Sequence, residues 1–385
     1  MLRAGVGLST DRDSARAATQ AAEGALRSAD LDRADLVLVF ATTPHGPGFT
    51  RVTRSAAERC GTRDVVGCSA AGVLAGQEEI EGGPAVAVLA LAGDFQARRF
   101  FVPVSRGGAG EAATAIAAAS AEPAGPERLL LLFADLYNME PEPLFGRLAE
   151  VLPGVPIVGG GASEDGSVGE VAVFSGDASS SHAVSGVMLS GEFRSTVGVA
   201  QSVRRVGPIG RVTSVEGNWV LTLDGRPALE AFTSVVPGPL LADPQRALTV
   251  VLAGLPVAEG GFLARHLVGL DPEHGGVAIA APVAVGQELF FGVRDPGGAR
   301  DDLQRVLGEQ AKAWTEPPTA SLYVNCVGRG ERFYGVSGLD TAYIRQELGS
   351  VPVAGFFSGA EFAPGVGTTR LHQYTGVLAV LGAAE

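Results

Sequence analysis

Continuous apolar runs and helically spaced apolar positions follow one another along this chain in an order that occurs three times. In the first copy DLVLVFAT (35–42) reads as a buried strand and TRVTRSAAERC as an amphipathic helix. VVGCSAAG (65–72) is a second strand running into Gly and small hydroxyl residues, and PAVAVLALAG (84–93) is a third. The second copy runs RLLLLFAD (128–135), PEPLFGRLAEVL, VPIVGGGASEDG (155–166) and HAVSGVMLSG (182–191). The third runs SLYVNCVGRG (321–330), TAYIRQELG, VPVAGFFSGAE (351–361) and LHQYTGVLAVLG (371–382). Each copy spans a βαβ-sized interval, and strands apolar on both faces need cover on both sides.

Between the second and third copies the pattern changes. Residues 206–232 predict two strands around Glu216-Gly217-Asn218, then an Asp224-Gly225 turn into a helix, and the domain join is placed here. Residues 277–295 predict another hairpin, and a helix is expected after Asp295-Pro296, through 301–314. The expected fold class is α/β: repeated strand–helix–strand units forming mixed sheets covered by helices, in two related halves, 1–210 and 211–385.

Composition narrows the function. The 385 residues are 46% hydrophobic and 18% charged, which describes a folded globular protein, and the net charge of −13 disfavours nucleic acid or an anionic membrane as partner. Lys312 is the only lysine and lies outside any glycine loop, so no P-loop is present. Cys60, Cys68 and Cys326 form no even framework and no CxxC pair, which points to a reducing, cytoplasmic setting. The N-terminus lacks a signal-peptide pattern, and no apolar run is long enough to span a membrane.

The candidate chemistry gathers where strands meet glycine turns. Gly67-Cys68-Ser69, Gly159 to Ser163 and Gly355 to Glu361 can offer backbone N–H groups and hydroxyls to a polar ligand, although each glycine could equally serve only to end a strand. The third copy adds Glu361 after Ser358 and Gly359. Asn325, Cys326 and Arg329 stand at the end of its first strand, where α/β folds open their crevices and where arginine suits a carboxylate. The bland readings are a small buried thiol and a solvated arginine. His372 precedes a strand and could face a cleft or be structural; His45, His182, His266 and His274 show no metal-ligand spacing. Gly108-Ala109-Gly110-Glu111-Ala112-Ala113 fits GxGxxA without the acid a dinucleotide needs, and Glu78 and Glu79 read as a solvated face. No catalytic constellation stands out.

Taken together, VVGCSAAG, IVGGGASEDG, VTSVEGNWVLTLDGRPALEAF, VNCVGRGERF, VPVAGFFSGAEFAPG and LHQYTG resemble the FIST N and FIST C domains over nearly the whole chain. Departures are Gly72-Val73 where Gly-Glu is usual, Ala360 before Glu361, and Gln373 after His372. The resemblance implies a bacterial, cytoplasmic sensory protein for a small ligand such as an amino acid or similar zwitterion. No output domain is recognisable in this sequence, so the expectation is a separate partner such as a histidine kinase. The expected ligand-binding residues are Asn325, Cys326, Arg329, Gly355, Ser358, Gly359, Glu361, His372, Cys68 and Ser69, with no catalytic or metal residues and no resident cofactor. Arg329 would hold a carboxylate and Glu361 an ammonium. The alternatives are a haem-binding nitric oxide sensor, with His372 or Cys326 as axial ligand, and a thiol enzyme using Cys326 or Cys68.

Overall fold

The computed structural model describes residues 2–46, 48–105, 107–121, 125–236, 238–258 and 260–384. By compactness these fall into two units: 1–200 with 303–371 and 375–385, and 201–302 with 372–374. The sequence suggests division at 210/211. Compactness instead gathers all three copies of the repeat, save residues 201, 296–302 and 372–374, into the first unit.

Each copy proves longer than its apolar runs suggest, because a strand and a helix precede it and a short hairpin follows its glycine strand. The first comprises β1 (Arg3–Ser9), α1 (Ser14–Ser28), β2 (Leu36–Thr42), α2 (Phe49–Cys60), β3 (Val65–Ala70), the hairpin β4 (Gly72–Ala75) and β5 (Glu78–Glu81), and β6 (Val86–Ala92). The second repeats this order in β7 (Phe95–Pro103), α3 (Ala109–Ala119), β8 (Glu127–Ala134), α4 (Pro141–Val151), β9 (Ile157–Gly161), β10 (Val173–Ser175), β11 (Ala178–Ser180) and β12 (Ala183–Gly191). The third opens with β13 (Phe193–Gln201) and is then interrupted in sequence. The interruption holds β14 (Val203–Glu216), β15 (Trp219–Leu223), β16 (Arg226–Pro227), α5 (Ala228–Val235), α6 (Gly238–Leu241), α7 (Pro244–Val250), β17 (Val251–Pro256), β18 (Phe262–Asp271), β19 (Gly276–Ile279) and β20 (Glu288–Arg294). The repeat resumes with α8 (Pro296–Lys312), β21 (Ala320–Cys326), α9 (Glu331–Tyr334), α10 (Leu339–Leu348), β22 (Val353–Ser358), β23 (Glu361–Gly365), β24 (Thr368–His372) and β25 (Thr375–Ala383).

The first unit is built on three sheets of matching order, β1-β6-β2-β3-β10-β11, β7-β12-β8-β9-β23-β24 and β13-β25-β21-β22-β4-β5. No repeat keeps its own hairpin. The first lends β4–β5 to the third, the second lends β10–β11 to the first, and the third lends β23–β24 to the second, a cyclic exchange. One face of each sheet lies under its helices. Ala17, Ala21 and Ala25 of α1 press on β1 so closely that a side chain at Gly5 or Gly7 would strike the helix backbone. The opposite faces share one apolar core, in which Phe40, Phe133 and Phe356 meet with centroids 4.8–5.8 Å apart. Each ring buried there stabilises the unit by about 1.5–3 kcal/mol.

In the second unit β14-β20-β17-β18-β19-β15 form an antiparallel sheet that closes on itself through the pairing of β14 with β15, with the two-residue β16 paired to β15. Phe232 of α5 packs edge-on to Phe291 at its core. The turn at 216–218 and the helices from 228 and 296 match the sequence pattern. The hairpin read at 277–295 does not form, because the connection carries β20 to β14 and β17 while β19 pairs with β18 and β15.

Candidate functional site

In every repeat a glycine lies at the same register point of the central parallel pair: Gly67 opposite Val39, Gly159 opposite Leu132 and Gly355 opposite Tyr323. A Cβ at any of them would overlap the facing carbonyl oxygen, so these glycines allow close strand contact. The turns beyond them do meet, but they tie together rather than line a gap. Ser163 N–H donates to Ser69 O at 3.1 Å, Gly161 N–H to Ala360 O at 2.8 Å and Gly359 N–H to Gly161 O at 3.1 Å. Ser69 Oγ donates to Ser163 O, Ser163 Oγ to Phe357 O and Ser358 Oγ to Gly161 O. Ser69, Gly355, Ser358 and Gly359 are thus placed in the join between repeats. Cys68 lies in the shared apolar core, where burial pushes its thiol well up.

The polar residues of the third copy assemble around a residue the sequence reading passed over, Asp340, near the start of α10. Its carboxylate takes two bonds from Arg329 (Nε at 3.1 Å, Nη2 at 3.2 Å), one from Tyr323 OH at 2.9 Å and one from Asn325 Nδ2 at 3.1 Å. The Tyr334 ring lies 5.6 Å from the guanidinium. Arg329 is 1% exposed, so the solvated loop charge is not what forms; a ligand carboxylate would have to compete with Asp340 for it. Strand alternation explains the grouping, since Tyr323 and Asn325 share the face of β21 under α10.

Cys326 and Glu361 form the adjoining part. β23 lies beside β9 with Glu361 opposite Gly160, and the same register point holds Val73 opposite Phe356 and Val173 opposite Cys68 in the other sheets. The fold is therefore content with valine where the third repeat's hairpin puts a carboxyl. Glu361 is 0% exposed. Its Oε2 accepts from Thr375 N–H at 3.2 Å and Thr375 Oγ1 at 2.8 Å, and Oε1 is a buried oxygen without a partner. Burial pushes the carboxyl up to about 8, against the opposing pull of Thr375, Cys326 and Arg329. Asn325 Oδ1 is a second buried acceptor without a partner. The Cys326 sulfur receives Gly328 N–H at 3.4 Å.

Two more carboxylates reach this cluster from the borrowed hairpin. Glu79 is 6% exposed, correcting the solvated face read for Glu78 and Glu79: only Glu78 is exposed, because alternation along β5 turns its neighbour inward. Glu79 Oε1 accepts from Thr341 N–H at 2.9 Å and Oγ1 at 3.1 Å, and burial with the nearby Asp340 charge pushes it up to about 7. Glu81 Oε1 accepts Glu331 N–H at 2.8 Å, and burial raises it also. The pairing of β4 with β22 that brings them here is invisible in a local pattern. Asp340 left one signal, an acid in the first turn of a predictable helix.

His372, the last residue of β24, falls by compactness in the second unit, where neighbouring Tyr374 donates or accepts a 3.0 Å bond with His266 Nε2. Of the two residues considered as a haem's axial ligand, Cys326 is closed in at 4% exposure and His372 is buried at 7%. Among the described residues no group of three potential ligands could hold a metal, and no helix is long and apolar enough to cross a membrane. A cleft of about 730 Å³ lies at the equivalent strand end in the second repeat, lined by Tyr137, Asn138, Glu140 and His182 among others.

The chain is 32% identical to an uncharacterized protein of Mycobacterium tuberculosis over 387 residues, 98% of this chain and 99% of that one. It is 31% identical to one of Mycobacterium bovis over 390 residues, 98% of each. Among solved structures, a cyanuric acid hydrolase from A. caulinodans aligns over 100% of this chain and 99% of that chain, at 10% identity and a TM-score of 0.39. Residues 35–226 match the FIST N domain and 228–364 the FIST C domain. FIST domains are small-ligand sensory domains of signal transduction. With both domains in sequence and most of its length accounted for, the chain belongs to the FIST family.

Proposed function

We propose that this protein is a cytoplasmic sensor for a small molecule bearing a cationic nitrogen, an amino acid or similar zwitterion, bound at the end of β21 and signalling through a separate output protein such as a histidine kinase. The observation that carries the reading is the pair of buried acceptors left without partners, Asn325 Oδ1 and Glu361 Oε1. A buried polar atom without a partner costs about 1–3 kcal/mol; a cationic nitrogen would give Asn325 Oδ1 a donor and take the place of the proton that burial holds on Glu361. The surroundings favour a cation, because the carboxyl groups of Asp340, Glu79, Glu81 and Glu361 gather around the buried Arg329, and burial opposes ionisation of Glu79, Glu81 and Glu361 until one is supplied. The ammonium meets Asn325 and Glu361, and a carboxylate on the same ligand shares Arg329 with Asp340. We read the protein as non-catalytic: Cys68 is buried with its thiol pushed up, which opposes nucleophilic use.

A thermal-shift and calorimetric screen of amino acids, simple amines and matched carboxylic acids tests this. Compounds with a cationic nitrogen should stabilise the protein, and Glu361→Gln should abolish that response while leaving the melting transition cooperative. No response to any nitrogen cation, or the same response in Glu361→Gln, refutes the assignment.

A further inference from the structure

In the first two repeats the middle strand is joined to the next helix by residues 43–48 and 135–140; in the third the connection is twice as long, 327–338. This added strap runs across the end of β21, where the second repeat has its cleft. Very little apolar burial holds it. Within the strap only Arg329 and Gly330 are buried, α9 buries none of its residues, and Val327 and Val336 are exposed. Val327, Phe333 and Val336 belong to none of the hydrophobic cores described above. The strap is fastened by polar contacts instead. Arg329 pairs with Asp340, Glu331 N–H donates to Glu81, and Ser337 Oγ donates to the carbonyl of Glu79 at 3.3 Å. Gly330, Gly335 and Gly338 adopt φ of 79°, 76° and 72°, flanking α9 on both sides and closing the strap before α10.

We propose that residues 327–338 form a lid over the end of β21, turning on these glycines and latched shut by Glu79 and Glu81 of the hairpin that the first repeat lends. The fastening suits movement. A buried ion pair gives up its mutual attraction on opening but recovers hydration of both partners, so the net cost is small, whereas a buried apolar plug would lose its burial outright. Segments with few buried apolar contacts open locally at a fraction of the global stability. As the means by which ligand reaches Asn325 and Glu361 the lid rests on the functional reading above; its opening does not.

Hydrogen–deuterium exchange followed by mass spectrometry, on the full chain without ligand, tests the lid directly. The amides of 327–338 should exchange at least about tenfold faster than those of β21 and β22, and Glu81→Ala, which removes the acceptor of Glu331 N–H, should speed them a further five- to tenfold while the melting temperature falls by no more than about 4 °C. Exchange of 327–338 only together with β21 and β22, or no effect of Glu81→Ala, overturns the proposal. A second arm adds an equimolar mixture of the twenty protein amino acids. If the lid opens as expected and the mixture changes nothing, the lid stands and the ligand class is wrong. Should the mixture bind while the exchange of 327–338 stays as slow as that of β21, the lid is wrong and the site is reached otherwise.

Discussion

Replacing Glu361 by Gln asks whether the fold carries a neutral carboxyl at its centre. In the folded chain the group titrates near 8, against 4.5 when exposed. Between these values the native state keeps a proton that the unfolded chain has released, so stability falls as pH rises through the window and levels off above 8. Three and a half pH units at 1.36 kcal/mol each amount to about 5 kcal/mol. Gln keeps an acceptor for Thr375 and cannot ionise, so that loss is absent from the variant. Urea denaturation of both proteins from pH 5 to 9 gives the difference directly, and subtraction cancels every other titrating group. A Trp219→Phe background leaves Trp314 to report on the first unit. The stability of Glu361→Gln relative to wild type should climb by about 1.4 kcal/mol per pH unit up to pH 8 and then flatten. A difference constant to within about 0.5 kcal/mol across the range would show that the carboxyl ionises freely, and the reasoning from its burial would fail.

Other outcomes follow from the same geometry. Asp340→Ala strands a buried guanidinium, a tyrosine hydroxyl and an amide, and should cost about 3–5 kcal/mol by denaturation; the double variant Arg329→Met, Asp340→Leu should regain at least half. Gly67→Ala, Gly159→Ala and Gly355→Ala should each cost more than about 3 kcal/mol or prevent soluble expression, whereas Gly110→Ala, with open space at a helix surface, should gain about 0.5–1 kcal/mol. Residues 1–226, ending where the FIST N match ends, should not show a cooperative melting transition alone, because two of the three sheets depend on strands outside this fragment. A sharp calorimetric transition of that fragment would contradict the strand exchange.

How much of this was legible in the sequence depended on range. Apolar runs announced β2, β3 and β6 and their counterparts because a strand covered on both faces needs no alternation. β1 and β13 escaped because three of seven and seven of nine of their positions are exposed or partly so, and neither they nor β7 was recognised as part of the unit. The hairpin exchange could not be read, since β4 is as plausible beside β3 as beside β22. The special character of the third copy was visible in Asn325, Arg329 and Glu361, each unlike its counterparts. What they do to one another was not: Arg329 looked available because its partner Asp340 stands in a helix whose pattern is otherwise ordinary. The same limit hid Glu79, which reaches α10 only through the lent hairpin.

That lent hairpin also sets a timetable for synthesis. Residues 72–81 leave the ribosome early, but β22, the strand they must pair with, follows some 270 residues later, which at 5–20 residues per second is roughly 15–55 s. Throughout that interval Val73, Leu74 and Ile80 form part of an open edge on a nascent chain, the circumstance in which strands find wrong partners. Three of the four residues of β5 are glutamates, and repulsion between chains carrying them keeps the edge from pairing with its own kind. The carboxylates that later fasten the third repeat thus guard the first while the ribosome finishes the protein.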